Sequence, residues 1–77
     1  MDIKVRGYGM IADVIGGNEI RVNGIHDTDS LHKHLLSQYK ELEGRQFVMA
    51  VKNKIIKGTH GLSDGDVIAL LPPFSGG

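Results

Sequence analysis

The segments "FVMAV" (47–51) and "VIALL" (67–71) are apolar at every position, and they constrain the fold more than any other feature of the sequence. Turn-forming residues bound them, Lys52-Asn53-Lys54 after the first and Ser63-Asp64-Gly65 before the second, so each reads as a β-strand. A strand with one face on a core and the other in water alternates apolar with polar residues. These two do not alternate, so something must cover both of their faces. Two kinds of cover fit: loops and lysine stems of the chain itself, or the surface of a partner protein.

One helix is available for the first face. Leu31, Leu35, Tyr39 and Leu42 follow at spacings of four, four and three, a single apolar stripe, with Thr28 or Asp29 placed to cap its start and Gly44 to stop it. In "IKVR", Ile3 and Val5 alternate with Lys4 and Arg6 as in a half-buried strand. Residues 8–15, "YGMIADVI", fit a short helical turn with a left-handed exit at Gly16-Gly17. "EIRV" is a second strand closed by Asn23-Gly24, and "IIK" (55–57) follows 47–51 through Lys52-Asn53-Lys54. The order strand, strand, helix, strand, short strand, strand within 77 residues predicts an α+β roll, a mixed sheet of four to five strands with one main helix across one face. A domain of this size buries only about 60% of its unfolded surface and gains from docking.

Nine basic residues balance nine acidic ones, so no global field favours nucleic acid or an anionic membrane. No run approaches the roughly 18 apolar residues of a membrane span, and "MDIKVRGYGM" lacks the apolar core of a signal peptide, which leads us to expect a cytoplasmic protein. The chain has no cysteine, which excludes disulfides, thiolate metal sites and a cysteine nucleophile or persulfide.

The sequence divides into a domain over 1–71 and a tail over 72–77, "PPFSGG". Pro72 and Pro73 have no amide hydrogen, so they end the ladder after Leu71, and their locked φ favours a stiff, extended exit. Six residues from Pro72 span roughly 20 Å, enough to reach an active site in another protein. Phe74 is placed as an anchor beside Ser75, while Gly76 and Gly77 let the backbone thread a channel too narrow for any side chain. The expectation is a flexible tail whose terminal carboxylate is the working group.

"LSDGDVIALLPPFSGG", with the upstream "AVKNKIIKG", resembles the C-terminal signature of the ubiquitin-like sulfur carriers, the MoaD and ThiS group. The Pro72-Pro73 pair and its spacing to Gly76-Gly77 are more similar to the molybdopterin synthase small-subunit branch than to the thiamin branch. "KNK" stands where a glycine-containing turn is usual, and the first strand is less aromatic than is typical. The resemblance implies a ubiquitin-like β-grasp with the first and last strands adjacent and parallel. It implies that the Gly77 carboxylate is adenylated by an E1-like adenylating enzyme, which consumes ATP, and is converted to a thiocarboxylate. It further implies that Gly77 enters the molybdopterin synthase large subunit and donates its sulfur there, with Gly76 giving passage and Pro72, Pro73, Phe74 and Ser75 meeting the partner. No bound cofactor is expected, and the chain alone is expected to be non-catalytic. The same features leave open a protein modifier conjugated through Gly77, or a sulfur carrier for thiamin, cysteine or tungsten cofactor synthesis.

Other motifs are weaker. Gly7, Gly9 and Ala12 in "GYGMIA" match a loose dinucleotide fingerprint, but 77 residues cannot build the fold that uses it. His32 and His34 are two apart on a helix and point to different faces, as solvated histidines do. Asp64-Gly65-Asp66 lacks the further acids of a calcium loop. Ser75 has no positioned base.

Overall fold

The structure of the protein is a computed structural model, and it describes residues 2–72. Its elements are β1 (Asp2–Gly7), α1 (Met10–Ile15), β2 (Glu19–Asn23), α2 (Thr28–Gln38), a 3₁₀ turn (Lys40–Leu42), β3 (Val48–Val51), β4 (Lys54–Ile55) and β5 (Val67–Leu71). They build one five-stranded sheet in the order β2-β1-β5-β3-β4. β1 and β5 are parallel neighbours at its centre, and the other pairs are antiparallel. This is the mixed sheet and β-grasp order that the resemblance implies.

Alternate residues of the central strands build the core. Ile3 and Val5 from β1, Val22 from β2, Met49 and Val51 from β3, and Ile68 and Leu70 from β5 are buried together with Leu31, Leu35 and Leu42, which come from the opposing helical layer. Leu62 joins them from the loop before β5, and Ile11 and Ile15 from α1.

The stripe predicted as one helix is held by two elements. α2 ends at Gln38, Tyr39 is extended at φ −124° and ψ 90°, and the 3₁₀ turn then returns Leu42 to full burial. Gly44, at φ +81°, follows that turn and does not end α2. A spacing of three between Tyr39 and Leu42 suits a 3₁₀ turn as well as an α-helix, so the sequence pattern does not show the break.

The cap of α2 also differs from expectation. Asp27, not Thr28 or Asp29, occupies the cap position, and its Oδ1 accepts the Ser30 backbone N–H at 2.7 Å. That bond favours the ionised form and holds the Asp27 carboxyl below its ordinary value. Thr28 is buried instead, and its Oγ1 accepts the His60 backbone N–H at 2.9 Å. It thereby ties the loop before β5 to the start of α2.

α1 and its exit follow the sequence reading, with Gly16 left-handed at φ +84°. Gly7 has a packing role. A Cβ there would lie 3.0 Å from the Ala12 backbone nitrogen and 2.9 Å from Ile15 Cδ1, so only glycine lets α1 rest directly on β1. The "GYGMIA" glycines serve this contact and the turn at Gly9, where φ is +61°.

Candidate functional site: the open face of the sheet

The residues of β3 and β5 that alternate with the core set point away from the helices. Strand register puts Ala50 opposite Ala69, Val48 opposite Leu71, and Ala50 opposite Ile55 on the other side. On β1, Arg6 pairs with Ala69 and Lys4 with Val67. The pleat therefore gathers Val48, Ala50, Ile55, Val67, Ala69 and Leu71 on one surface.

No loop or helix of the described residues closes over this surface. Arg6, Tyr8, Ala50, Lys52, Asn53, Ile55, Val67, Ala69 and Leu71 line a shallow trough of about 470 Å³. Ile55 is 54% exposed, Tyr8 44% and Val67 41%, three of the four large apolar side chains left most open to solvent among the described residues. Of the two covers considered from sequence, the intramolecular one is therefore missing over most of the patch. The small side chains Ala50 and Ala69 form its floor, and the larger ones stand around them.

Arg6 is fixed at the margin by an ion pair with Glu19, Nε to Oε1 at 3.6 Å, both side chains being about half exposed. Lys52 reaches the other margin from the β3–β4 turn, where it and Asn53 both have positive φ, 52° and 66°. A two-residue turn of this kind matches the twist of the flanking strands and normally takes Asn-Gly. Lysine at its first position is thus held against its own backbone preference.

Sequence reasoning identified the β3 and β5 members of this surface and missed Tyr8, Ile55, Arg6 and Lys52. Their signal is register, not composition. Tyr8 lies one residue past the Gly7–Leu70 pair, and only the parallel β1–β5 pairing brings it beside Leu71. The sequence pattern predicts a strand over 55–57 that starts at Ile55, whereas β4 is Lys54–Ile55.

Of the tail residues singled out from sequence, Pro72 is exposed and directly follows Leu71 at the edge of the trough. Pro73, Phe74, Ser75, Gly76 and Gly77 lie outside the described residues. The histidines reside elsewhere. His32 is exposed and stacks on Phe47, with ring centroids 5.1 Å apart and planes 21° from parallel. No group of three metal-ligating side chains occurs among the described residues.

The ThiS family profile matches residues 8–77, nearly the whole chain. The chain belongs to the ThiS family. This ThiS-family protein is 29% identical over 80 residues to the molybdopterin synthase sulfur carrier subunit of Escherichia coli strain K12, an alignment covering 97% of this chain and 99% of the relative. Among solved structures, it matches a complex of subunits 1 and 2 of the molybdopterin-converting factor from Helicobacter pylori 26695 at a TM-score of 0.71 and 29% identity, over 100% of both chains. It matches the small archaeal modifier protein 1 of Methanosarcina acetivorans at a TM-score of 0.80 and 21% identity, over 99% of this chain and 96% of that one, a likeness of fold alone.

Proposed function

We propose that this protein is the sulfur-carrying small subunit of a molybdopterin synthase. The observation that carries the reading is the near end-to-end match to a molybdopterin synthase sulfur carrier subunit, within a family profile that runs through Gly76 and Gly77. The open apolar face adds a docking surface adjoining the strand from which the tail departs. The Helicobacter pylori structure is a complex of two subunits, and it supports a large-subunit partner for this chain as well.

The chemistry follows from what a carboxylate lacks. The Gly77 carboxylate is a poor electrophile because its leaving group would be oxide. An E1-like enzyme removes that obstacle by joining the carboxylate to the α-phosphate of ATP, releasing pyrophosphate and leaving an acyl-adenylate. Sulfide from a donor then attacks the acyl carbon, and the carbon–oxygen bond to AMP breaks. The product is a thiocarboxylate, ionised at neutral pH, whose sulfur is nucleophilic without a neighbouring base. A chain without cysteine suits this chemistry, because the sulfur is held on the terminus and not on a side chain. Gly76 keeps the approach to Gly77 narrow enough for the active sites of both partners. On this reading Pro72, Pro73, Phe74 and Ser75 meet the partner between the domain and the reacting terminus.

The test is reconstitution. Purified protein incubated with the E1-like enzyme, ATP and sulfide should release pyrophosphate and gain the mass of one oxygen exchanged for one sulfur. Deletion of Gly77, or extension past it, should abolish both signals while the domain melts as before. A variant with an altered terminus that still turned over would place the reactive group elsewhere and overturn the reading.

A further inference from the structure

Zero net charge conceals a separation of charge between the two layers of the molecule. The helical layer, from α1 through the turn after Leu42, carries Asp13, Asp27, Asp29, Glu41 and Glu43 against Lys33, Lys40 and Arg45. The open sheet face has the opposite balance. It presents Lys4, Arg6 and Arg21 from the strands and Lys52 from the β3–β4 turn against Asp2, Glu19 and the adjoining Asp64.

Register arranges those cations in relation to the apolar trough. Arg21 pairs with Lys4, and Lys4 pairs with Val67. Lys52 follows Val51, whose partner is Ile68, so it flanks Val67 from the other side. One row across the sheet therefore reads Arg21, Lys4, Val67, Lys52. The next row reads Glu19, Arg6, Ala69, Ala50, Ile55. Glu19 is occupied by Arg6. Lys4, Arg21 and Lys52 have no ion pair among the described residues.

Asp2 and Asp64 lie below the cation row, in a small cleft they share with Lys4 and Arg21. Asp64 Oδ1 accepts the Asp2 backbone N–H at 2.7 Å, so it holds the start of β1 as well as contributing charge. The acids thus share one end of the face with Lys4 and Arg21, and the cations that line the trough itself are Arg6 and Lys52. Lys52 strengthens the case, since a lysine kept in a left-handed turn position points to a use for its ammonium group.

We propose that the open face docks a protein surface of one chemistry: an apolar protrusion bordered by carboxylates, which seat against Lys4, Arg21 and Lys52. This rests on the reading of the face as the docking surface for the synthase large subunit, and it specifies what that subunit must present. The apolar centre holds the complex together, and the cations steer its formation and set its orientation. Charges bordering an interface act chiefly on the association rate, whereas a desolvated centre acts on dissociation.

The experiment measures association and dissociation rates of the full-length chain with the large subunit of the same organism across a range of salt. The double variant Arg21→Glu with Lys52→Glu should slow association about tenfold or more at low salt and flatten its salt dependence, with dissociation changed far less. The control Lys33→Glu with Lys40→Glu makes the same change in net charge on the helical layer and should leave association within about twofold. Equal slowing by both pairs, or no slowing by the first, overturns the inference while leaving the docking reading intact. Faster association by the first pair means that the facing surface is basic, which also overturns it. Failure of the unaltered chain to bind the large subunit would overturn the docking reading and this inference together. Circular dichroism of each variant distinguishes lost docking from lost folding.

Discussion

The two faces of the sheet are made from neighbouring residues of the same strands, yet they answer to different requirements. On one face Met49, Val51, Ile68 and Leu70 lie against α2 and are shut from water by this chain alone. On the other, Val48, Val67, Ala69 and Leu71 are just as apolar in sequence but remain partly open around a buried Ala50, beside exposed Tyr8 and Ile55. An unbroken apolar strand can thus carry two separate patterns, one face closed by folding and the other left partly open. In β5 period-two alternation is present in burial even though it is absent from composition, whereas in β3 Met49, Ala50 and Val51 are all buried.

Perturbing one face at a time separates their roles. Leu35→Ala removes a fully buried side chain facing the sheet and should cost about 2–5 kcal/mol. That is comparable with the whole stability of a domain this small, about 3–5 kcal/mol, so the variant should be largely unfolded by circular dichroism at room temperature. Gly7→Ala tests the other contact on the covered side. The added methyl meets the Ala12 backbone at 3.0 Å and should cost about 1–3 kcal/mol, seen as a lower midpoint in urea with an unchanged slope.

On the open face the effects on stability and on function should separate. Ala69→Asp places a charge in the middle of the trough, where it should destabilise the isolated domain by about 1 kcal/mol or less. The same substitution should eliminate docking to the large subunit in a binding assay. If Ala69→Asp unfolds the protein as Leu35→Ala does, the two faces are equivalent and the distinction between them fails.

A smaller effect sharpens the account of the hairpin. Replacing Lys52-Asn53 by Asn-Gly supplies the residues that two positive φ angles favour and should raise stability by about 1 kcal/mol or less. It also removes one cation from the border of the trough, so the stabilised protein should associate more slowly with its partner. The mildest effect is expected at the cap. Because its bond to Ser30 lowers the Asp27 pKa, the stability it contributes is fully present above the unfolded value and fades as pH falls through the folded one. Asp27→Asn should therefore reduce the loss of stability in acid below the ordinary aspartate range, measured by denaturant titration at each pH.

Much of this architecture was legible before the structure. Alternation in "IKVR", the helical stripe beginning at Leu31 and the glycine exit at Gly16 each reflect a local rule, and each element is where that rule puts it. The break at Tyr39 was hidden because α and 3₁₀ geometry share a spacing of three. The cap was misplaced by one or two residues because Asp27, Thr28 and Asp29 all offer a suitable oxygen, and only the burial of Thr28 by the His60 loop selects among them. At the candidate site, the excess of apolar residues in two strands was visible, whereas the row of basic residues beside it was not. Arg21, Lys4 and Lys52 are distant in sequence and become one row only through the register of four strands. The roles of Gly76 and Gly77 are read from their pattern and from a family resemblance.

The most direct measurement is the intact mass of the protein purified from its own host without reducing agents or alkylation. A sulfur carrier should appear as two species, the bare chain and one in which a single oxygen at Gly77 is replaced by sulfur, and fragmentation should place the exchange on the last residue. A ladder of heavier conjugates joined through Gly77 to lysines of other proteins, with no thiocarboxylate at any stage of growth on molybdate, would contradict the account.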